Sequence, residues 1–444
     1  MCAIIMGGTC LASVRNPICG VVLYMLVYQI TPNTRWWGSP LADMGVRFSM
    51  LAGLFTIIGM VASPHRVPRV RPWLSTWEIG LIALVVIGLA NDYVFGLMTT
   101  PAGVAAFDKF WKMMLFVLIL NRMASSRTNL RIVIWTLVAG SMYLGYEAWT
   151  APRWAFYQGR LSNMGGPDFQ TSSSFAAHMT AMLPLIGVMF LIAKNWKWKM
   201  LAALSGAFSI NAVIMCRTRS AFIGLLAGIA MAFVTAPRAR RFRIHVLLIL
   251  GGLCAFSLSD DFFWNRMATM TTGNVAETDM ATRLRLEVWR ASMKLMGDHP
   301  YGIGMANFPS VIGRYDARHY RRGSHNTLII CFTELGVQGG LVFTVMIVLT
   351  ATTLLRCSRS AHLSDNPLET KLLVYGVIVS WTTYFVAGLG TERLYSESYW
   401  WVFAMPHWID RMITREAEQR LPVLATDEVS PLDQPSALAP LGVS

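Results

Sequence analysis

Arg285 and Trp289 are four residues apart, so a helix would set a guanidinium and an indole on one face. Arg283 stands four before Glu287 and can pair with it along the same helix. A second basic group follows in Arg314, Arg318, Arg321 and Arg322, with Asp316 the one acid among them. Guanidinium presents a rigid fork of donors that fits phosphate and diphosphate oxygens. A third candidate is Arg219, within Cys216-Arg217-Thr218-Arg219-Ser220, a very short link between two apolar runs. An arginine there is costly unless it pairs or faces a wet cavity. His325-Asn326 closes the basic segment at a polar-to-apolar boundary. Neighbouring guanidinium charges would lower the imidazole pKa and keep it neutral, the state a general base needs. Each feature has a plainer account: lipid headgroups for the arginine cluster, snorkelling for Arg219, a structural role for His325. Taken together they describe an anion site beside a neutral base. Arg219, Arg283, Arg285, Trp289, Arg314, Arg318, Arg321, Arg322 and Asn326 are candidate contacts for such an anion, and His325 is a candidate base.

These residues must be held by a mostly apolar chain. The 444 residues are 54% hydrophobic and 14% charged, against roughly 25% charged in soluble domains. Apolar runs that could each cross a bilayer as a helix of about 20 residues fall near 17–31, 46–62, 74–91, 106–121, 131–149, 173–193, 199–215, 219–235, 243–258, 325–355, 371–389 and 397–412. The run 325–355 is longer than a crossing needs, so part of it should tilt or stand outside the bilayer. Residues 1–14 form either a half-helix or a further span. The net charge of +14 sits largely in short clusters between the runs, the positive-inside pattern, and so calls for no nucleic-acid partner. It predicts an all-α polytopic membrane protein with both termini cytoplasmic. The divisions are 1–258 with nine spans, an outer loop 259–324, spans 10–12 over 325–412, and an unstructured tail 413–444. Trp36, Trp37, Trp154, Tyr157, Tyr395, Tyr399, Trp400 and Trp401 are expected as an aromatic belt at the outer interface.

The outer loop is not a plain linker. Leu284, Val288, Ala291 and Leu295 recur at helical spacing, so residues 281–297 should be an amphipathic helix on or near the membrane surface. It should stop at Gly297-Asp298-His299-Pro300, with Tyr301-Gly302-Ile303-Gly304 as a glycine-permitted turn. The outer loops show no carboxylates or histidines at metal-ligand spacing, and Asp260-Asp261 reads as a helix cap. No metal or other cofactor is expected.

The stretch from Arg283 to Phe343 resembles the O-antigen ligase and polysaccharide polymerase family. The resemblance rests on Arg285 with Trp289, on the turn carrying Asp298, Pro300, Gly302 and Gly304, and on His325-Asn326 opening a helix with Glu334 and Gly336. The Arg219-Ser220-Ala221 motif before a span and the large loop between the ninth and tenth spans are also similar. The earlier part looks like a branch of O-glycosylation ligases from exosortase-associated exopolysaccharide loci. One departure stands before Leu183-Pro184, where relatives often carry an asparagine element and this chain reads Thr171 to His178. The resemblance implies a GT-C-like, metal-independent membrane glycosyltransferase of the bacterial inner membrane, working on the periplasmic face. Its donor would be a glycan on polyprenyl (undecaprenyl) diphosphate, and its acceptor a glycan, lipid or protein. His325 would then activate the acceptor hydroxyl, with Arg219 and Arg285 on the diphosphate. A transporter for an anion or small solute is the reading from another class. Against it, the spans lack a ladder of polar residues.

Overall fold

The computed structural model describes residues 2–70, 72–94, 96–97, 100–166, 168–268 and 275–427. Helices occupy Pro17–Ile30, Phe48–Ala62, Thr76–Tyr93, Pro101–Met123, Arg127–Trp149, Ser172–Ile192, Trp196–Cys216, Arg219–Thr235, Arg241–Leu258, Gly336–Ser360, Pro367–Gly388 and Glu397–Asp427. Among the described residues the sheet content is one antiparallel pair, Phe156–Tyr157 with Arg160–Leu161. Among the described residues five helices are long and apolar enough to cross a membrane: Ser172–Ile192, Trp196–Cys216, Arg238–Leu258, Gly336–Leu363 and Pro367–Gly388. The protein is an all-α membrane protein. Several starts are fixed by side-chain caps. Ser75 and Glu78 form a capping box, and Thr100, Ser126 and Thr171 each accept a first-turn N–H.

Burial separates lipid-facing from central helices. Along Arg241–Leu258 only Ile244 is buried, and Ile249, Leu250, Leu253 and Phe256 lie bare. A helix apolar all round yet uncovered by protein needs hydrocarbon around it. Glu397–Asp427 is the opposite case, with Tyr399, Trp400, Trp401, Phe403 and Trp408 fully buried. That corrects the expected aromatic belt. Trp36, Trp154 and Tyr157 are exposed, but Tyr399, Trp400 and Trp401 pack in the core because this last helix runs through the middle of the bundle.

Ion pairs and hydrogen bonds gather the links between helices at two ends. At one end Arg127 meets Glu416, Arg131 meets Glu369, Arg411 meets Glu78 and Arg420 meets Asp365. These are the arginine-rich links. At the other end Arg35 meets Glu147, Lys109 meets Asp168, and Arg217 meets Asp260. Asn307 donates there to the Leu97 carbonyl at 2.9 Å, and the Glu397 N–H donates to Asp168 at 3.0 Å. The loop after residue 258 belongs to this second end.

Three local results refine the sequence reading. Cys2–Arg15 is a helix that folds back at Asn16 against Pro17–Ile30 and Phe48–Ala62. The last helix continues to Asp427, past the expected end at 412; the rest of the expected tail, 428–444, lies outside the described residues. The long run from 325 divides into Thr327–Glu334 and Gly336–Ser360.

The break has a partner in sequence. Gly336 adopts φ 75° and Gly302 φ 97°, and a Cβ on either would strike the other strand's backbone, at Tyr301 and Glu334 respectively. Close approach lets Ile303 N–H donate to Thr333 O at 3.0 Å, Gly304 N–H to Glu334 O at 3.1 Å and Val337 N–H to Pro300 O at 2.9 Å. The turn after the outer helix is thereby stitched to the helix break. Gly336→Ala should lower the unfolding midpoint in detergent, by about 1–3 kcal/mol of stability, from positive φ alone. Gly297→Ala, with open space around it, should leave the midpoint in place. Equal midpoints for both variants would contradict the stitch.

Candidate functional site

The site is built on the second half of the helix Val275–Asp298. Val288, Ala291 and Leu295 are its buried stripe, packed toward Thr327–Glu334 and the turn near Ile312. The predicted amphipathic face therefore rests on protein. Trp289 uses its indole N–H to reach the Ser324 carbonyl at 3.0 Å. It thus fixes the residue before His325 and ties the outer helix to the start of the next one.

His325 has φ 50°, a left-handed conformation that costs a non-glycine residue about 1–3 kcal/mol. Glu392 holds it there. One carboxylate oxygen accepts the His325 N–H at 3.0 Å and the Ser324 hydroxyl at 3.2 Å. The loop bearing Glu392 is anchored in turn by Thr327, whose hydroxyl donates to Gly388 O at 2.8 Å and accepts the Arg393 N–H at 3.0 Å. Asn326 caps the helix that follows, its side-chain oxygen accepting from Leu328 N at 2.9 Å and Ile329 N at 3.2 Å.

Arg285 lies one turn before Trp289 and is half-buried. It makes no hydrogen bond or ion pair with the described residues. Lost solvation lowers its pKa from the ordinary guanidinium value, and the nearby charge of Arg219 adds to the shift. Arg219 opens the helix Arg219–Thr235, two residues after a left-handed Arg217 and directly after the N-cap Thr218. Arg217 itself is engaged, bonded to Gly159 O and Asp260 and stacked over Phe262 at 4.5 Å. Asp260 also caps the next short helix through Phe263 N at 2.8 Å, as the sequence suggested.

The His325 side chain stands at the surface of this end of the bundle, with protein on several sides. Partial loss of solvation lowers its pKa below the ordinary histidine value. Arg285 and Arg322 push the same way, and the Glu392 carboxylate opposes them. Arg285 thus senses Arg219, and His325 senses Arg285.

The remaining candidates are distributed differently. Arg283 pairs with Glu287 at 3.2 Å and is mostly exposed. Arg318 lies on Asp316 at 2.6 Å and near Glu287 at 3.6 Å. Arg314, Arg321 and Arg322 are exposed, and Arg321 sits over the Tyr320 ring at 5.3 Å. Of these only Arg322 is felt by His325. Glu392 is a site residue that the sequence reading missed, because its role depends on a contact across many intervening residues. Glu287, Asp316 and His319 do come together, which corrects the expectation of no carboxylate–histidine cluster in the outer loops; sequence spacing could not show it because two separate elements supply the groups.

Residues 204–344 match the family model for O-antigen ligase. The matched segment is about a third of the chain and includes Arg219, Arg285, Trp289, the arginine cluster and His325, with Glu392 outside it. No curated protein matches the chain. The match supports an activity like that of O-antigen ligases or polymerases.

With isotope-labelled histidine, and His325→Ala to assign its signal, the His325 ring should titrate below the usual value of about 6.5. Arg285→Gln should raise that pKa and Glu392→Gln should lower it. An ordinary titration in all three proteins would remove the electrostatic link.

Proposed function

We propose that this protein transfers a glycan from a polyprenyl diphosphate carrier, such as undecaprenyl diphosphate, to an acceptor hydroxyl on the periplasmic face of a bacterial inner membrane. The observation that carries the reading is a half-buried Arg285 within electrostatic reach of both Arg219 and His325, in the segment that matches the O-antigen ligase model. An arginine pair with a neutral imidazole beside it suits a diphosphate leaving group. The acceptor is a glycan, a lipid or a protein, and membrane lipids surround the bundle.

Neutral His325 takes the proton of the acceptor hydroxyl as that oxygen attacks the anomeric carbon of the donor sugar. The bond from that carbon to the diphosphate oxygen breaks, and the electron pair leaves with the carrier. Arg219 and Arg285 meet the charge that grows on the diphosphate, in a place where little reorganisation is needed. Because fixed guanidinium groups supply the positive charge, the reaction runs without a metal. Trp289 and Glu392 position the base, and Arg322 extends the positive field to the rim. The arrangement of about twelve spans, arginine-rich links inside and the 259–324 loop outside, is supported by the two-ended grouping of the interhelical contacts.

A second reading, extension of the same lipid-linked donor by a polymerase, uses identical donor chemistry. Deleting a ligase leaves long chains on the carrier, whereas deleting a polymerase leaves single repeat units. We expect long chains.

His325→Ala should abolish transfer at normal membrane abundance. Arg285→Lys should reduce it by about a hundredfold or more, because lysine cannot reproduce the two-pronged contact. Full activity in both variants would refute the assignment. The rate should fall toward acid as the imidazole gains its proton, with that limb below the ordinary histidine value. A limb above about 7 would mean that a different group is titrating.

A further inference from the structure

Glu287 sits on the outer helix, and Asp316 and His319 flank the short turn Ala317–His319. Their ligand atoms all lie within 4.8 Å of one another. His319 Nε2 is 3.4 Å from Asp316 Oδ2 and 3.7 Å from Glu287 Oε2. A cation bonded at about 2.0–2.2 Å holds neighbouring ligand atoms roughly 3.0–3.6 Å apart, so little movement would close the set.

A second observation concerns the imidazole alone. His319 is 0% exposed, and neither ring nitrogen makes a hydrogen bond. A buried polar atom left this way costs about 1–3 kcal/mol. The nitrogen faces two carboxylate oxygens, which as acceptors suit a cation between the three groups.

The arginines nearby leave room for it. Arg283 bonds to Glu287 Oε1, the oxygen other than the one facing His319. Arg318 binds Asp316 Oδ1 through its backbone N–H at 3.1 Å and its Nε at 3.0 Å. Its Nη2 also covers Oδ2 at 2.6 Å and its Nη1 stands 3.6 Å from Glu287 Oε2, from a side chain that is 68% exposed and can swing away from both oxygens. Arg318 can therefore yield Oδ2 to a cation and stay attached through Oδ1.

We propose that Glu287, Asp316 and His319 form a divalent-cation site. An imidazole with two carboxylates favours zinc or manganese over the all-oxygen preference of calcium and magnesium. Solvent completes the coordination. The cation would clamp the arginine-bearing turn to the helix that carries Arg285. It stands apart from the reacting groups and does not depend on the transfer reading.

The test uses the full-length protein in detergent, stripped with chelator, dialysed and titrated with Zn²⁺ and separately with Mn²⁺ by calorimetry. Metal content per chain and the unfolding midpoint are measured on the same samples. One equivalent should bind and raise the midpoint. His319→Ala and Glu287→Gln should each weaken binding at least tenfold, and Arg318→Ala, which removes only an exposed competitor, should tighten it. Failure of the wild type to bind either ion, or binding unchanged in all three variants, overturns the proposal. So does a midpoint that ignores metal, which would make the cluster a plain ion pair. Because the readout is binding, none of these results bears on the transfer reaction.

Discussion

A guanidinium inside protein, without a counter-charge and next to a second guanidinium, is a standing electrostatic cost. Arg285 is in that position: half-buried, without a bond to any described residue, and sensing Arg219. Several other shielded arginines are resolved differently. Arg411 has Glu78, Arg127 has Glu416, Arg217 has Asp260 and Arg35 has Glu147. The contrast marks Arg285 as a group whose partner arrives from outside. An anion with several oxygens relieves both the repulsion and the lost solvation at once.

The surrounding structure keeps that arrangement in place. The outer helix is tied down twice, through Trp289 to Ser324 and through the glycine turn whose backbone bonds to Thr333 and Glu334. Those ties explain why residues so far apart in sequence act as one unit. The turn needs the helix break at Gly336, and the break sets the short helix that Asn326 caps directly after His325. Glu392 then locks the strained His325 backbone from the other side. Its carboxylate has two opposed effects, since it places the imidazole and also raises its pKa. The arginines win that contest together with partial desolvation, and the ring stays neutral.

Much of this was legible before any coordinates. Apolar run lengths gave most of the helices to within about five residues because lipid allows little besides a continuous helix, but not the break before Gly336 or the extension of the last helix to Asp427. The pattern of Leu284, Val288, Ala291 and Leu295 gave the outer helix, since burial on one face leaves a period. What failed was partner choice. Trp400 and Trp401 look the same in sequence whether they face lipid headgroups or a packed centre, and the structure buries them. Arg318 looks as available as Arg285, but the Asp316 carboxylate occupies it, whereas the Arg283–Glu287 pair was expected from its spacing. The Glu392 contact and the Glu287–Asp316–His319 cluster depend on tertiary proximity, which no local spacing encodes.

The most direct test of the account is equilibrium binding of a polyprenyl diphosphate to purified protein. His325→Ala should bind like the wild type, because the imidazole acts on the acceptor. The double variant Arg219→Ala, Arg285→Ala should bind at least tenfold more weakly, a loss of about 1.4 kcal/mol or more. Equal affinity in all three proteins would contradict the claim that these two guanidinium groups grip the diphosphate.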